Sequence, residues 1–256
     1  MGVNLHAVER MRGAAQVILR RDFERDMQNH IRFLNDCGVT GDSVGVYISK
    51  NPFIFTQDLD NLEVRINYLF SKQFTTDSIS RILVKNPRWL MHSTEDIDRR
   101  LGYFQQNFLL KGDEVRFVAT RQPKLITYNL DHIRDTRFAV IEEMGFTVDE
   151  SKQIILRKPK VYTLNRRSLV ERFDYIHNTM GIGHGLIIEQ VGSLLSRLSR
   201  LKQRHQFLAL LGRNIYDPAQ PGYISLVDIV AGDDSCFCSR VAKTPTAIFN
   251  KFLKTL

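Results

Sequence analysis

The chain of 256 residues has little cysteine, one tryptophan and seven prolines. The three cysteines, Cys37, Cys236 and Cys238, are an odd number, with one C-x-C pair and no second ligand pair. That argues against a disulfide framework or a zinc site and for reduced thiols in a non-secretory compartment. No apolar run approaches the ~18 residues of a membrane span. No stretch of comparable length alternates polar and apolar residues, which excludes an extensive half-buried sheet. No nucleophile–base pair or metal constellation is visible, and the paired carboxylates Glu142–Glu143 and Asp233–Asp234 sit in ordinary polar contexts. An enzyme is not expected, nor any cofactor.

The scarcity of proline makes the placement of four of them informative. Pro52, Pro87, Pro123 and Pro159 are separated by 35, 36 and 36 residues. A fixed period of that size is the signature of a stacked repeat array. A base stands two residues before each proline: Lys50, Lys85, Arg121 and Arg157. Apolar pairs follow each: Ile54–Phe55, Trp89–Leu90, Leu125–Ile126 and Val161–Tyr162. Ten residues after each proline come Leu62, Ile97, Ile133 and Leu169, and seventeen after come Leu69, Phe104, Val140 and Ile176. The register runs once more without its proline, from Val191 to Leu201 and Leu208, after a shorter step of 32 residues.

Each repeat therefore reads as helix, helix and Pro-led turn. The first helix runs across the plus-ten to plus-seventeen positions. The second begins near Thr75 or Thr76, near Gly112–Asp113 and near Thr147, where Thr147 and Glu150 match a capping box. It stops before the proline, because the residue preceding proline is pushed out of the α region. Proline then opens a short 3₁₀ turn, where its missing N–H costs nothing. Ahead of the first proline, the spacing of Phe23, Met27, Ile31 and Leu34 predicts a helix to about Asp36, with Gly38 as its stop and Thr40 capping the next. After Arg213 the register is lost. Residues Asn214 to Gly222 read as a loop, and Ile224–Val230 and Ala247–Leu256 as the last helices. The expected organisation is a repeat array over 1–213, its first unit irregular, and a helical cap over 214–256 that covers the apolar end of the stack.

Charge is as unevenly distributed as proline. The formal net charge is +8. From Arg157 to Arg213 there are eleven Lys and Arg against three acids, while the remainder is balanced at 25 of each. A basic stripe points first to nucleic acid, then to an acidic partner or membrane surface. Cations at a helix C-terminus also interact favourably with the helix dipole, by about 0.3–1 kcal/mol. Four in register look instead like a row suited to phosphates. The candidate interface is Lys50, Lys85, Arg88, Arg121, Lys124, Arg157, Lys158 and Lys160, thickened by Arg166, Arg167, Arg197, Arg200, Lys202 and Arg204. Arg172 and Arg213 belong to the same basic segment. Trp89, Tyr162, Tyr128 and Phe55 could stack on bases, but their consensus spacing favours the core. His177 and His184, near Gly181, Gly183 and Gly185, suit a flexible turn better than a metal or phosphate loop, since no strand precedes them.

The Pro-led unit resembles the mitochondrial transcription termination factor (mTERF) repeat. The tail strengthens the likeness, in Tyr216-Asp217-Pro218-Ala219-Gln220-Pro221-Gly222-Tyr223-Ile224-Ser225-Leu226, in Phe249-Asn250-Lys251-Phe252-Leu253-Lys254-Thr255-Leu256 and in the preceding Arg204-His205-Gln206-Phe207-Leu208. The resemblance covers nearly the whole chain. Val191 in the proline position and Arg12-Gly13 near the start depart from the pattern. The resemblance implies an all-α, left-handed superhelical solenoid of triangular repeats with a concave basic face. It also implies the mitochondrial matrix, a transit peptide upstream, and binding of duplex DNA or ribosomal RNA. The tail is similar to a branch of the family associated with repression of mitochondrial transcription at the promoter region and with mitochondrial ribosome assembly. A monomer is expected. The rival reading is a helical scaffold for a ribosome-assembly protein. A pentatricopeptide-type reader of single-stranded RNA would not need the Pro-led third segment.

Overall fold

The computed structural model describes residues 2–256, and among the described residues every regular element is helical. The chain forms two compact units, Met1–Leu130 and Asp131–Leu256.

The N-terminal unit opens with the short helices Leu5–Glu9 and Ala14–Leu19. A π turn over Phe23–Met27 then runs into the helix Gln28–Asp36. Next comes Asp42–Lys50, with the 3₁₀ turn Pro52–Thr56. Two full repeats follow. Leu59–Ser71 and Thr76–Lys85 lead to a turn at Trp89–Met91. Thr94–Asn107 and Gly112–Arg121 lead to Pro123–Ile126. The C-terminal unit repeats the scheme. Leu130–Phe138 continues through a π turn over Ala139–Glu143, then come Val148–Arg157 and the 3₁₀ turn Pro159–Thr163. Arg166–Asp174 with its π turn Tyr175–Thr179 is followed by His184–Glu189 and Val191–Leu195. Leu198–Leu210 begins the last repeat, and the chain closes with Leu226–Val230, Asp234–Phe237 continuing through Cys238–Ala242, and Thr246–Leu253.

Local chemistry accounts for these boundaries. The side chains of Thr75, Ser93, Thr147 and Asn165 each accept a hydrogen bond from the amide three residues on, which satisfies an orphan donor at a helix start. The Thr147–Glu150 capping box forms as expected. At the other end, Asn51, Asn86, Gln122 and Lys158 precede prolines and lie between φ −145° and −135°, with ψ between 68° and 77°. The proline ring excludes the α region for each of them. Gln190 precedes Val191 and relaxes to φ −114°, ψ 34°, yet the 3₁₀ turn after it still forms. Packing of Val191 and Leu194 therefore suffices to fold that turn without the ring.

The repeat-spaced apolar residues form the core. Ile54, Phe55, Trp89, Leu90, Leu125, Ile126, Val161 and Tyr162 are buried, as are the plus-ten and plus-seventeen residues from Leu62 to Leu208. Each such side chain contributes about 1.5–3 kcal/mol by leaving water. Trp89, Tyr162 and Phe55 are thus core residues, whereas Tyr128 is partly exposed.

A further periodic feature lies after each first helix, where the chain turns through the left-handed region. The residues are Gly38, Gln73 and Leu109 in the N-terminal unit and Gly145, Gly181 and Gly212 in the C-terminal unit.

Three local expectations need correction. Thr40 does not cap the helix Asp42–Lys50; Gly41 stands there at φ 58°, with no side-chain cap. The segment Asp234–Ala242 is helical, started by the Asp233 carboxylate accepting from the Cys236 amide at 2.8 Å. The last two helices are shorter than the sequence suggests: Leu226–Val230 starts later because Ser225 caps it, and Thr246–Leu253, which starts one residue earlier after Pro245, ends three residues sooner.

Candidate nucleic-acid interface

The cations two residues before each proline fall at helix C-termini and are exposed. Lys50, Lys85 and Arg121 end successive second helices of the N-terminal unit. Those helices pack side by side, Asp42–Lys50 on Thr76–Lys85 and Thr76–Lys85 on Gly112–Arg121. Their ends are close enough for Lys85 Nζ to donate to the Arg121 carbonyl at 3.2 Å. The turns are tied in the same sense: Asn51 Nδ2 donates to the Pro87 carbonyl, and Asn86 Nδ2 to Thr127 Oγ1, both at 2.8 Å. Arg88 and Lys124, just after their prolines, are exposed beside this row. Arg121 also lies over the exposed ring of Phe117, 5.6 Å from its centroid.

In the C-terminal unit, Arg157, Lys158 and Lys160 are exposed around Pro159. The next second helix, His184–Glu189, packs on Val148–Arg157 but carries Glu189 where the row would continue. Arg166 and Arg167 are exposed yet already paired, with Glu143 at 2.6 Å and Glu171 at 2.9 Å. Arg197 and Lys202 are exposed and Arg200 half-exposed on or beside the helix Leu198–Leu210; the Lys202 ammonium lies 5.3 Å from the Tyr175 ring centroid. Exposed ion pairs contribute little, about 0–1 kcal/mol, so Arg166 and Arg167 can exchange their carboxylates for phosphates at small cost.

Arg204 does not belong to the interface. Its side chain is fully buried. Nη1 donates to the carbonyls of Ile229 and Ala231 at 2.8 Å, Nη2 to that of Gly232 at 3.1 Å and to Asp234 Oδ1 at 2.8 Å. The guanidinium also lies 4.7 Å from the Phe237 ring centroid. Arg172 is likewise turned inward, with Nη1 on the Leu194 carbonyl at 2.9 Å, and Arg213 donates to the Ala242 carbonyl at 2.5 Å.

Arg204 and Arg172 belong to a second arginine series. Thirteen residues after Pro52, Pro87, Pro159 and Val191 stand Arg65, Arg100, Arg172 and Arg204. Arg65 donates to the Leu90 carbonyl, Arg100 to that of Ile126 at 3.1 Å and of Tyr128 at 2.7 Å, Arg172 to Leu194 and Arg204 to Ile229. The first acceptor in the three earlier cases is the third residue after the next proline position. Each arginine therefore holds the following turn by its main chain. Thr136 stands at this position in the remaining repeat and bonds back to the His132 carbonyl, while His132 Nε2 reaches the Leu164 carbonyl at 2.9 Å.

The polar cluster around Asp96 also rests on this series. His92 Nδ1, Arg99 and Arg100 all approach the Asp96 carboxylate, at 2.8, 2.5 and 2.9 Å. Burial raises the affinity of that carboxyl for its proton, but the hydrogen bonds from Arg99, Arg100 and His92 outweigh it and hold it well below the usual carboxylate range. Among the described residues, no group of three or more His, Cys, Asp or Glu is placed to hold a metal, and no helix is long and apolar enough to cross a membrane. His177 and His184 lie tilted against each other, with centroids 4.8 Å apart, and stack on Phe173 and Phe146 respectively.

Helix–helix–turn repeats with a proline period and cations in register define a narrow class. A model of the mTERF family matches residues 2–237. The chain belongs to the mTERF family. This mTERF protein is 47% identical over 255 residues to the Drosophila melanogaster protein named transcription termination factor 3, mitochondrial, covering 100% of this chain and 72% of that relative. The Mus musculus protein of the same name is 39% identical over 256 residues, of which the chain spans 62%. The Mus musculus protein named transcription termination factor 4, mitochondrial, is 26% identical over 231 residues, 88% of this mTERF chain and 65% of the relative.

Proposed function

We propose that this mTERF protein binds nucleic acid in the mitochondrial matrix and regulates mitochondrial transcription as a monomer without catalysing a reaction. Duplex mitochondrial DNA is its first ligand. In this reading it represses transcription by occupying the promoter region and takes part in ribosome assembly through ribosomal RNA. Residues 1–213 are the binding array and 214–256 its cap, and a left-handed superhelical course would bring the basic row to a concave face. The observation that carries the reading is the row of exposed cations at stacked helix ends, Lys50, Lys85 and Arg121, with Arg157, Lys158 and Lys160 offering the same arrangement in the C-terminal unit. The names of the relatives support the compartment and the process.

The mechanism is electrostatic and steric. Lysine and arginine at the helix ends replace counterions on the phosphates, which makes affinity fall steeply with salt. Arg121→Glu combined with Arg157→Glu is expected to weaken duplex binding by at least about tenfold, or ~1.4 kcal/mol. The helical circular dichroism should be unchanged, and the salt dependence should become shallower by roughly two counterions. Unchanged affinity in that double variant would remove both residues from the interface. A salt titration against duplex DNA, single-stranded RNA and a structured ribosomal RNA fragment ranks the ligands.

A scaffold for a ribosome-assembly protein is the second reading, favoured by large apolar side chains left in water, among them Phe70, Phe117, Phe138 and Leu210. It requires weak, salt-insensitive binding to all three nucleic acids.

A further inference from the structure

The C-terminal unit holds a cavity of about 500 Å³ that the basic row does not use. It lies between the segment 212–224 and the helical stretch up to Lys243, and Arg213, Arg240 and Lys243 line it with Asp228 as the one carboxylate. Tyr223, with Ile215 and Val241, supplies apolar wall. Ligand pockets span roughly 300–1,000 Å³ and combine apolar walls with a few placed polar groups. A single nucleotide is a ligand of that scale.

We propose that this cavity binds a phosphate monoester carried on a nucleoside. Three features point there. First, the lining is cationic, three bases to one acid. Second, Arg240 and Lys243 make no side-chain hydrogen bond or ion pair with any described residue, whereas Arg213 is fixed on the Ala242 carbonyl at 2.5 Å. One guanidinium is therefore held in place across the cavity, and two cations are available to a ligand. Third, Lys243 adopts φ 49°, ψ 46° directly after the turn Cys238–Ala242. That is the position where glycine ordinarily ends a helix, and a side chain there costs about 1–2 kcal/mol. The strain is retained at a residue that lines the cavity, as is common where a ligand is held.

The charge of the ligand follows from the pairing. A phosphate monoester carries about −1.5 to −2 at neutral pH and three acceptor oxygens, which matches two available cations and a fixed third. A diester inside a strand carries a single charge and cannot enter a concavity of one-nucleotide size without bending its neighbours. Asp228 accepts from Ser225 Oγ at 2.6 Å, and its carboxylate suits a ribose hydroxyl donor. The apolar wall suits the base. This inference is independent of the groove reading, since none of its residues is in the basic row.

The ligand can come from a free nucleotide or from the 5′ end of a strand, and one experiment separates them. Calorimetric titration of the full chain would use adenosine 5′-monophosphate, adenosine, and a short RNA with and without a 5′-phosphate. Binding of the monophosphate but not adenosine supports a free nucleotide. Tighter binding of the phosphorylated RNA than of its 5′-hydroxyl counterpart, with no binding of the monophosphate, supports a strand end. In either case Arg240→Ala and Lys243→Gly should each weaken the phosphate-dependent binding about tenfold. Lys243→Gly should not lower the thermal midpoint, because glycine relieves the positive φ, so a loss of binding there is not a loss of fold. Equal binding of adenosine and its monophosphate overturns the proposal. So does the absence of any phosphate-dependent binding, or unchanged affinity in both variants.

Discussion

In the N-terminal unit the two full repeats leave their first helices through Gln73 at φ 64° and Leu109 at φ 51°; in the C-terminal unit the same step is taken by Gly145, Gly181 and Gly212. The geometry is common to both, so the fold demands the left-handed turn and not the residue type. The N-terminal unit meets the demand with side chains that resist it, at a cost of about 1–2 kcal/mol each. The C-terminal unit meets it with glycine. A second contrast runs the other way. Arg65 and Arg100 hold their turns from half-buried positions, whereas Arg204 is wholly buried on three carbonyls and a carboxylate. At these first-helix exits the strain thus falls on the two full N-terminal repeats, whereas dependence on a single buried charge lies in the other unit.

The largest effect that would break this contrast is at Arg204. Arg204→Met should cost on the order of 3 kcal/mol, because the carbonyls of Ile229, Ala231 and Gly232 lose their donor, at about 1–3 kcal/mol for each acceptor left buried, while the half-exposed Asp234 carboxylate can return to water. Arg65→Met should cost about 1–2 kcal/mol, since water can replace part of what is lost. Urea unfolding of both variants measures the difference, and equal costs would mean that burial does not set the strength of these contacts. Gly181→Ala comes next, with a destabilisation of roughly 1–2 kcal/mol from the positive φ. Gln73→Gly should act in the opposite direction, stabilising by up to about 1 kcal/mol after the greater freedom of unfolded glycine is subtracted. The smallest effect concerns pH. The folded Asp96 carboxyl titrates below its ordinary value of 3.8, so its contribution is present above that value and is lost as pH falls through the lower folded one. Asp96→Asn should flatten the acid limb of the stability profile measured by thermal unfolding.

The sequence carried the repeat in plain form because proline and buried apolar residues obey a strict period. Pro52, Pro87, Pro123 and Pro159 mark the turns, and the residues ten and seventeen beyond them are core without exception. The start at Thr147 was equally legible, since a capping box is a local signal. Thr40 misled because a cap needs the following helix to begin at the right residue, and Gly41 turns the chain one residue later. The site was half legible. Exposure of the cations beside the prolines follows from their position at helix ends. The inward turn of Arg172 and Arg204 does not, because charge counts are blind to direction. A signal was nevertheless present: Arg65, Arg100, Arg172 and Arg204 are separated by 35, 72 and 32 residues, the repeat period and its double, and a period shared with core residues marks a packing role.

The arginine series also sets the order in which the C-terminal unit comes apart. Arg172 clasps only the turn that closes its own repeat, and Arg204 only the segment that follows the helix Leu198–Leu210, so loosening one link leaves the others closed, as in a zipper. Chains built this way fray from their free ends. Arg204, clasping residues 229–234 behind the last repeat, lies where fraying from the C-terminal end would enter the stack. It acts as the stop of the zipper: amides in 226–253 would exchange with solvent early, and those of 198–208 late, as long as that one guanidinium stays in place.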